Sequence, residues 1–263
     1  MDFAAYKRNE LAHQERKYGS TPRTQEPVTV ATFERKFLTP AHRQGGSSRG
    51  ELFSRCVAAA LPAITPGVRV LDYACGRGDL GVYLALKGAT VDGMDVSPAA
   101  IDVALRKAAA SGVDVRFASM DCEALAYPDQ TFDLVVGFEA LHHVIVYPRM
   151  PAELARIMKP GSRAIFAENW GADNPLFQMW RRATSLRKAN SSDRGEIILG
   201  NAILRERLSK YFAISVDAFA ITYTVKKYVR GAGVLTALRK FDRALEKVLP
   251  SACGESVITL TRR

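Results

Sequence analysis

Two glycines, a series of acidic residues at the ends of apolar runs, and a histidine pair are the groups in this sequence best suited to chemistry. Gly76 and Gly78 sit in V-L-D-Y-A-C-G-R-G, residues 70–78. A short apolar β-branched run precedes them, and D-L-G-V-Y-L-A-L-K with helical spacing follows. Strand, tight turn and helix in that order put bare N–H groups and the positive end of a helix dipole at the carboxyl edge of a sheet. A nucleotide-like ligand can approach there because Gly76 and Gly78 carry no Cβ to block it. Asp95, nineteen positions after Gly76, closes the next apolar run. A carboxylate at that place can accept hydrogen bonds from both hydroxyls of a ribose. His142 and His143, of the side-chain type that takes a proton near neutral pH, follow a later run of the same kind.

Regular elements must hold these groups in place. Strand-like runs occur at 68–72, 89–96, 113–118, 132–137 and 163–168. Helical patterns lie between them over Asp79–Lys87, Pro98–Ser111 and Pro148–Met158. Ser97 reads as a helix cap with Pro98 in the first turn, and K-P-G-S at 159–162 reads as a stop before the fifth strand. Such alternation predicts a parallel sheet covered on both faces, with right-handed crossovers. Residues 1–50 are polar and rich in turn formers; Phe3, Tyr6 and Leu11 mark one face of a short helix, with a break at 17–23. Residues 42–50 read as a link, and Glu51–Leu61 as a helix closed by Pro62. Beyond Asn169 the alternation lapses. A helix is expected over Gly200–Lys210, strands over Phe212–Thr224 and Glu255–Thr261, and an amphipathic helix over Val234–Leu249 whose other face carries Arg239, Lys240, Arg243 and Lys247.

Four stretches, in this order and spacing from about Val68 to Asn169, carry a resemblance. They are V-L-D-Y-A-C-G-R-G-D, V-D-G-M-D-V-S-P, M-D-C-E-A-L-A-Y-P-D-Q-T-F-D-L-V-V-G-F-E-A-L-H-H-V and A-R-I-M-K-P-G-S-R-A-I-F-A-E-N. Together they resemble the class I S-adenosylmethionine (SAM)-dependent methyltransferases, in particular the small-molecule group acting on quinones, sterols and natural products. The usual glycine-rich turn departs at Ala74 and Cys75, both small enough for cofactor binding to survive.

The resemblance implies an α/β fold with a seven-stranded Rossmann-like sheet, six strands parallel and the seventh antiparallel between the fifth and sixth. It implies a helical amino-terminal lid over 1–50, a methyltransferase domain over 51–263 and a cap insertion around 170–210. SAM is the expected cofactor. Asp72 would lie near its methionine amino group and Ala74, Cys75, Gly76 and Gly78 would pass close by. Asp95 would take the ribose hydroxyls with Val96 beside the adenine, Asp121 the adenine amine with the Cys122 N–H facing the ring, and Phe138 and Glu139 the methionine part. His143 is the first choice of base and His142 the second, with His13 and His42 as weaker candidates. Trp170, Phe177, Met179 and Trp180 are candidates for the pocket wall, with ordinary core as the competing reading for each. Glu168 would either orient the substrate or help to hold the sheet edge, and Tyr6, Tyr18 and Phe37 would supply aromatic lid contacts.

Composition bounds the remainder. At 263 residues and 48% hydrophobic content the chain can bury one large core. The amino terminus shows no signal-type apolar segment and no run is long enough to span a bilayer, so the cytoplasm is the expected compartment. Cys56, Cys75, Cys122 and Cys253 are scattered without metal-site spacing; no metal and no disulfide is expected. A net charge of +10 favours anionic partners. The acceptor expected is a small, apolar or aromatic metabolite, methylated on oxygen, nitrogen or carbon. A nucleic-acid acceptor is the first alternative, disfavoured because no motif for gripping a flipped base follows the fourth strand. A methyltransferase fold running a different reaction is the second. The basic carboxy-terminal helix allows weak contact with a membrane surface. Nothing in the sequence sets the oligomeric state.

Overall fold

The computed structural model describes residues 2–21, 25–38, 48–172, 197–219, single positions between 233 and 246, and 253–263. Its strands are β1 (Arg69–Tyr73), β2 (Thr90–Asp95), β3 (Val115–Ser119), β4 (Phe132–Phe138), β5 (Met158–Asn169), β6 (Phe212–Phe219) and β7 (Glu255–Arg262). They form one sheet in the order β3-β2-β1-β4-β5-β7-β6. Pairing is parallel from β3 through β5, and β7 runs antiparallel to both β5 and β6. The expected seven-stranded sheet with one reversed strand is therefore what the chain adopts.

Alternation along the central strands builds two cores. Val70 and Leu71 are both fully buried, but Val70 packs with Val82, Leu134 and Ile165 while Leu71 packs with Val135, Leu154 and Phe166 on the opposite face. Burial on both faces is why β1 and β4 read as near-continuous apolar runs. Connections from β1 and β4 leave the sheet in opposite directions, since β2 and β3 lie on one side and β5 on the other. The crevice at their carboxyl ends is where such sheets take ligands.

The helices are α1 (Phe3–Gly19), α2 (Val30–Phe37), α3 (Ser48–Ala60), α4 (Asp79–Leu86), α5 (Pro98–Ala110), α6 (Leu141–Val144), α7 (Met150–Ile157) and α8 (Asn201–Leu208). Ser97 caps α5 as expected, its hydroxyl accepting from the Ala100 N–H at 3.1 Å.

Three expectations change. The amino-terminal helix is not short: α1 covers seventeen residues, takes in Lys17 and Tyr18 of the expected break, and is followed by α2. Its start is capped by Asp2, which accepts from Ala4 N and Ala5 N at 3.0 Å each. Ser48–Gly50 of the expected link belong to α3, and a 3-10 turn at Leu61–Ala63 carries Pro62. The K-P-G-S stop lies within β5: Phe132 pairs with Met158 and Leu134 with Arg163, so the turn bulges out of the strand, with Gly161 at φ +75°. Residues 220–224 of the expected sixth strand and most of 234–249 lie outside the described residues.

Among the described residues, no helix is long and apolar enough to cross a membrane and no group of His, Cys, Asp or Glu could hold a metal ion. The four cysteines are free thiols, and burial pushes Cys56 and Cys122 up to about 12, too high for a thiolate nucleophile.

Candidate active site

A cavity of about 720 Å³ opens over the carboxyl ends of β1, β2 and β4. Its floor begins with the turn after β1. Ala74, Gly76 and Gly78 all adopt left-handed backbone, at φ +54°, +51° and +71°. The left-handed region costs a residue with a Cβ about 1–2 kcal/mol, so Ala74 sits in strained backbone. Two bonds hold the turn closed: Cys75 N donates to Met94 O and Gly78 N to Cys75 O, both at 2.9 Å. The two glycines serve different ends. A Cβ on Gly78 would fall 2.7 Å from the Phe117 ring and 2.9 Å from the Ala104 Cβ, so its bareness lets α4 pack on the sheet. A Cβ on Gly76 would fall 2.9 Å from the Tyr18 hydroxyl, on the cavity side.

Buried carboxylates bind this floor through backbone N–H groups. Asp72 accepts from Gly81 N at 2.8 Å. Burial, with Asp95 and Asp79 nearby, pushes its carboxyl up to about 7 despite that bond. Asp95 accepts from Gly76 N at 2.9 Å through one oxygen and from Ser97 N at 3.0 Å through the other. Burial raises its pKa too, against those two bonds. Each Asp95 oxygen keeps a second lone pair for a ligand hydroxyl.

The wall after β4 carries the histidines. Glu168, fully buried on β5, accepts from Ala140 N at 2.9 Å and Leu141 N at 2.6 Å through Oε1. Its Oε2 lies 2.6 Å from His142 Nδ1. With the carboxylate ionised, Nδ1 carries the proton and Nε2 is the lone-pair nitrogen. His142 lines the cavity while being only 7% exposed, and its ring lies 4.0 Å from that of His143. His143 Nδ1 faces Glu10 Oε2 at 3.6 Å.

Over this floor lies α1, whose Lys7, Glu10, Gln14, Lys17 and Tyr18 line the cavity. Lys7 Nζ reaches Asp121 Oδ2 and Glu123 Oε2 at 2.7 Å each. Glu15 accepts from Ser97 Oγ at 2.6 Å and Ala99 N at 3.1 Å. Burial alone would raise Asp121, but the Lys7 hydrogen bond and the Glu123 N–H outweigh it and hold the carboxyl below its ordinary value. An aromatic file forms a further side, Phe37 to Phe53 at 4.6 Å and Phe53 to Phe138 at 4.7 Å, and all three line the cavity.

Of the residues singled out in the sequence, Asp72, Ala74, Cys75, Gly76, Asp95 and Val96 line this one cavity. So do Asp121, Cys122, Phe138, Glu139, His142, His143, Tyr18 and Phe37. Gly78 and Glu168 do not; they act from behind the surface. Trp170, expected on the pocket wall, is in the core at 2% exposure, its N–H donating to Gly254 O at 2.8 Å. Tyr6 packs edge-on against Tyr147 at 5.8 Å, outside the cavity lining. His13 is also absent from the lining, and His42, Phe177, Met179 and Trp180 lie outside the described residues. Sequence reasoning missed Lys7, Glu10, Phe53 and Tyr147. Phe53 sits in an apolar stretch of α3 that reads as ordinary core, and Lys7 becomes a site residue only through partners 114 and 116 positions away.

A family pattern described as a methyltransferase domain matches residues 70–161. The chain is 33% identical over 167 residues to the demethylmenaquinone methyltransferase of Thermus thermophilus, covering 63% of this chain and 73% of that protein. It is 39% identical over 111 residues to a ubiquinone biosynthesis O-methyltransferase of Rhizobium johnstonii. That alignment covers 42% of this chain and 44% of the relative, less than half its length. Among solved structures, geranyl diphosphate C-methyltransferase from Streptomyces coelicolor superposes with a TM-score of 0.61, covering 98% of this chain and 97% of that one. At 13% identity the likeness concerns the fold.

Proposed function

The chain belongs to the class I SAM-dependent methyltransferases, and on that premise we propose that it methylates a hydroxylated aromatic small molecule, with His142 as the base that takes the acceptor's proton. Glu168 is what carries this reading. A fully buried carboxylate pinned by the Ala140 and Leu141 N–H groups and held 2.6 Å from His142 Nδ1 sets the imidazole's orientation and tautomer. His143 Nδ1 lies 3.6 Å from Glu10 Oε2 on α1, the element that covers the cavity. The aromatic file Phe37–Phe53–Phe138 supports an apolar, ring-bearing acceptor. One relative is named a demethylmenaquinone methyltransferase and another a ubiquinone biosynthesis O-methyltransferase; both names support a ring of the quinone type, and the second supports oxygen as the acceptor atom.

The cavity suits the cofactor. A ligand ammonium beside Asp72 would reverse the burial that holds that carboxyl near 7. Asp95 is fixed at both oxygens with lone pairs to spare for a ribose, and Asp121 remains an acceptor beside Cys122 for an adenine amine. When bound, the cofactor supplies a methyl group already activated on a sulfonium. What is left to the protein is to orient the acceptor, exclude water and remove one proton. Residues 1–50 then serve as the lid, with α1 shielding the cavity, and 51–263 as the catalytic domain; residues 173–196 of the cap expected around 170–210 lie outside the described residues. Free thiols support a reducing compartment, the cytoplasm.

Transfer of labelled methyl to a panel of hydroxylated aromatics tests both parts. His142→Gln is expected to lower kcat about 10²–10⁴-fold while SAM still titrates normally, and His143→Gln to lower it less. Equal losses would remove His142 from its role, and transfer to none of the panel would overturn the acceptor class.

A further inference from the structure

We propose that Lys36 selects the acceptor, holding the carboxylate of a hydroxylated aromatic acid at the mouth of the cavity. Among the described residues, Lys7, Lys17, Lys36 and Arg77 are the cations that line it. Lys7 is engaged by Asp121 and Glu123 at 2.7 Å each, and Arg77 Nε lies 3.5 Å from Asp79 Oδ2. Lys36 differs. On the last turn of α2, its Nζ stands 4.9 Å from the centroid of the Phe37 ring, and it forms no ion pair among the described residues. It is exposed and yet lines the cavity, which puts it at the mouth.

The charge around it is unbalanced. Lys107 Nζ, on α5, lies 2.9 Å from Asp79 Oδ1, so one carboxylate serves both Lys107 and Arg77. Burial chiefly lowers the Lys107 pKa and Asp79 opposes it; the charges of Arg77 and Lys36 lower it further, so both are within range of Lys107. Three cations thus share one carboxylate. An anion arriving at the mouth offsets that excess, and does so more strongly than in bulk water because protein walls one side of it.

The aromatic file indicates what the anion is attached to. Phe37 follows Lys36 directly and packs on Phe53 at 4.6 Å, and Phe53 reaches Phe138 at the end of β4 at 4.7 Å. A ring laid along the file therefore has Lys36 at one end and, at the other, the end of β4 from which α6 and His142 follow. Lysine is a point charge on a flexible stem, so it favours an anion without dictating its geometry. A carboxylate on the ring satisfies both the file and the charge. The inference rests on the aromatic acceptor reading and narrows it to acids. The cofactor's own amino-acid carboxylate is the rival anion. Its ammonium is expected at Asp72, whose carboxyl feels Asp95 and Asp79, and Lys17 is the lysine whose charge reaches Asp95.

Matched pairs of hydroxylated aromatics, each free acid beside its primary amide, test the proposal by methyl transfer and by calorimetry on the protein loaded with S-adenosylhomocysteine. Wild type should prefer the acid about tenfold or more in kcat/KM and in binding, with a gap that narrows as salt rises. Lys36→Gln should raise KM for the acid and cut the preference about tenfold, whereas Lys36→Arg should keep most of it. Equal use of acid and amide by wild type, or a preference that survives in Lys36→Gln, overturns the proposal and leaves the aromatic reading in place. Transfer to neither member of any pair overturns both. If Lys36→Gln instead weakens binding of S-adenosylhomocysteine but not of 5′-methylthioadenosine, which lacks the carboxylate, the cation serves the cofactor and the proposal falls.

Discussion

The floor and the roof of the cavity both depend on carboxylates, but in opposite ways. On the floor, Asp72, Asp95 and Glu168 are buried and accept backbone N–H groups within the sheet edge and its turns. On the roof, α1 is held by side chains: Lys7 is 27% exposed and its partner Asp121 43%. Buried charges bonded to backbone are costly to disturb and insensitive to salt, whereas half-exposed ion pairs contribute little and are screened. A rigid floor under an adjustable cover is the arrangement that lets a ligand enter without disturbing the groups that position it.

The strongest test of the floor is Glu168→Ala, which strands the Ala140 and Leu141 N–H groups and frees His142. Each orphaned donor costs about 1–3 kcal/mol, and turnover should fall about 10²-fold or more. Glu168→Gln should keep most of the stability while altering the pH profile of kcat, an outcome that simple packing would not produce.

Gly78→Ala comes next. Left-handed backbone and the close approach of Phe117 and Ala104 together should cost about 2–3 kcal/mol, read as a lower denaturation midpoint. A neutral result would mean that α4 shifts freely against β3.

Asp72→Asn separates stability from binding. Burial raises the folded pKa of Asp72 to about 7 from an ordinary 3.8, so its contribution to stability is present below 3.8 and lost as the pH rises through 7. The asparagine variant should match wild type near pH 4 and exceed it at pH 8, by an amount on the order of 2–4 kcal/mol at most. Its SAM affinity should drop and lose pH dependence, while wild-type affinity should weaken as the pH falls below about 7. Calorimetry at several pH values reads both.

The smallest effect belongs to the roof. Lys7→Met should change global stability by only about 0–1 kcal/mol, yet raise amide exchange across α1, and salt should do the same to wild type. Equal loosening of α1 and β1 would erase the contrast.

Legibility in the sequence follows the same division. Strands β1, β2 and β4 could be read because burial on both faces makes most of their residues apolar. The turn could be read because left-handed backbone and close packing demand glycine. Asp95 could be placed because it ends such a run, and Asp72 and Asp121 because they stand in stretches that resemble the family's. In contrast, Tyr18 is the one residue of α1 that is buried, so its length left little apolar periodicity to detect. Trp170 looked like pocket wall because an aromatic residue after β5 does not declare which side of the sheet edge it will occupy.

The sequence by itself determined the order of elements and put the glycines and acidic residues at one sheet edge, since these depend on local backbone geometry and on burial that residue type records directly. Only the tertiary structure decided that Glu168 reaches His142, that α1 reaches Asp121 and Ser97, and that Phe37, Phe53 and Phe138 meet. Those contacts join residues far apart along the chain, and their energy comes from geometry at the meeting point, which no local stretch encodes.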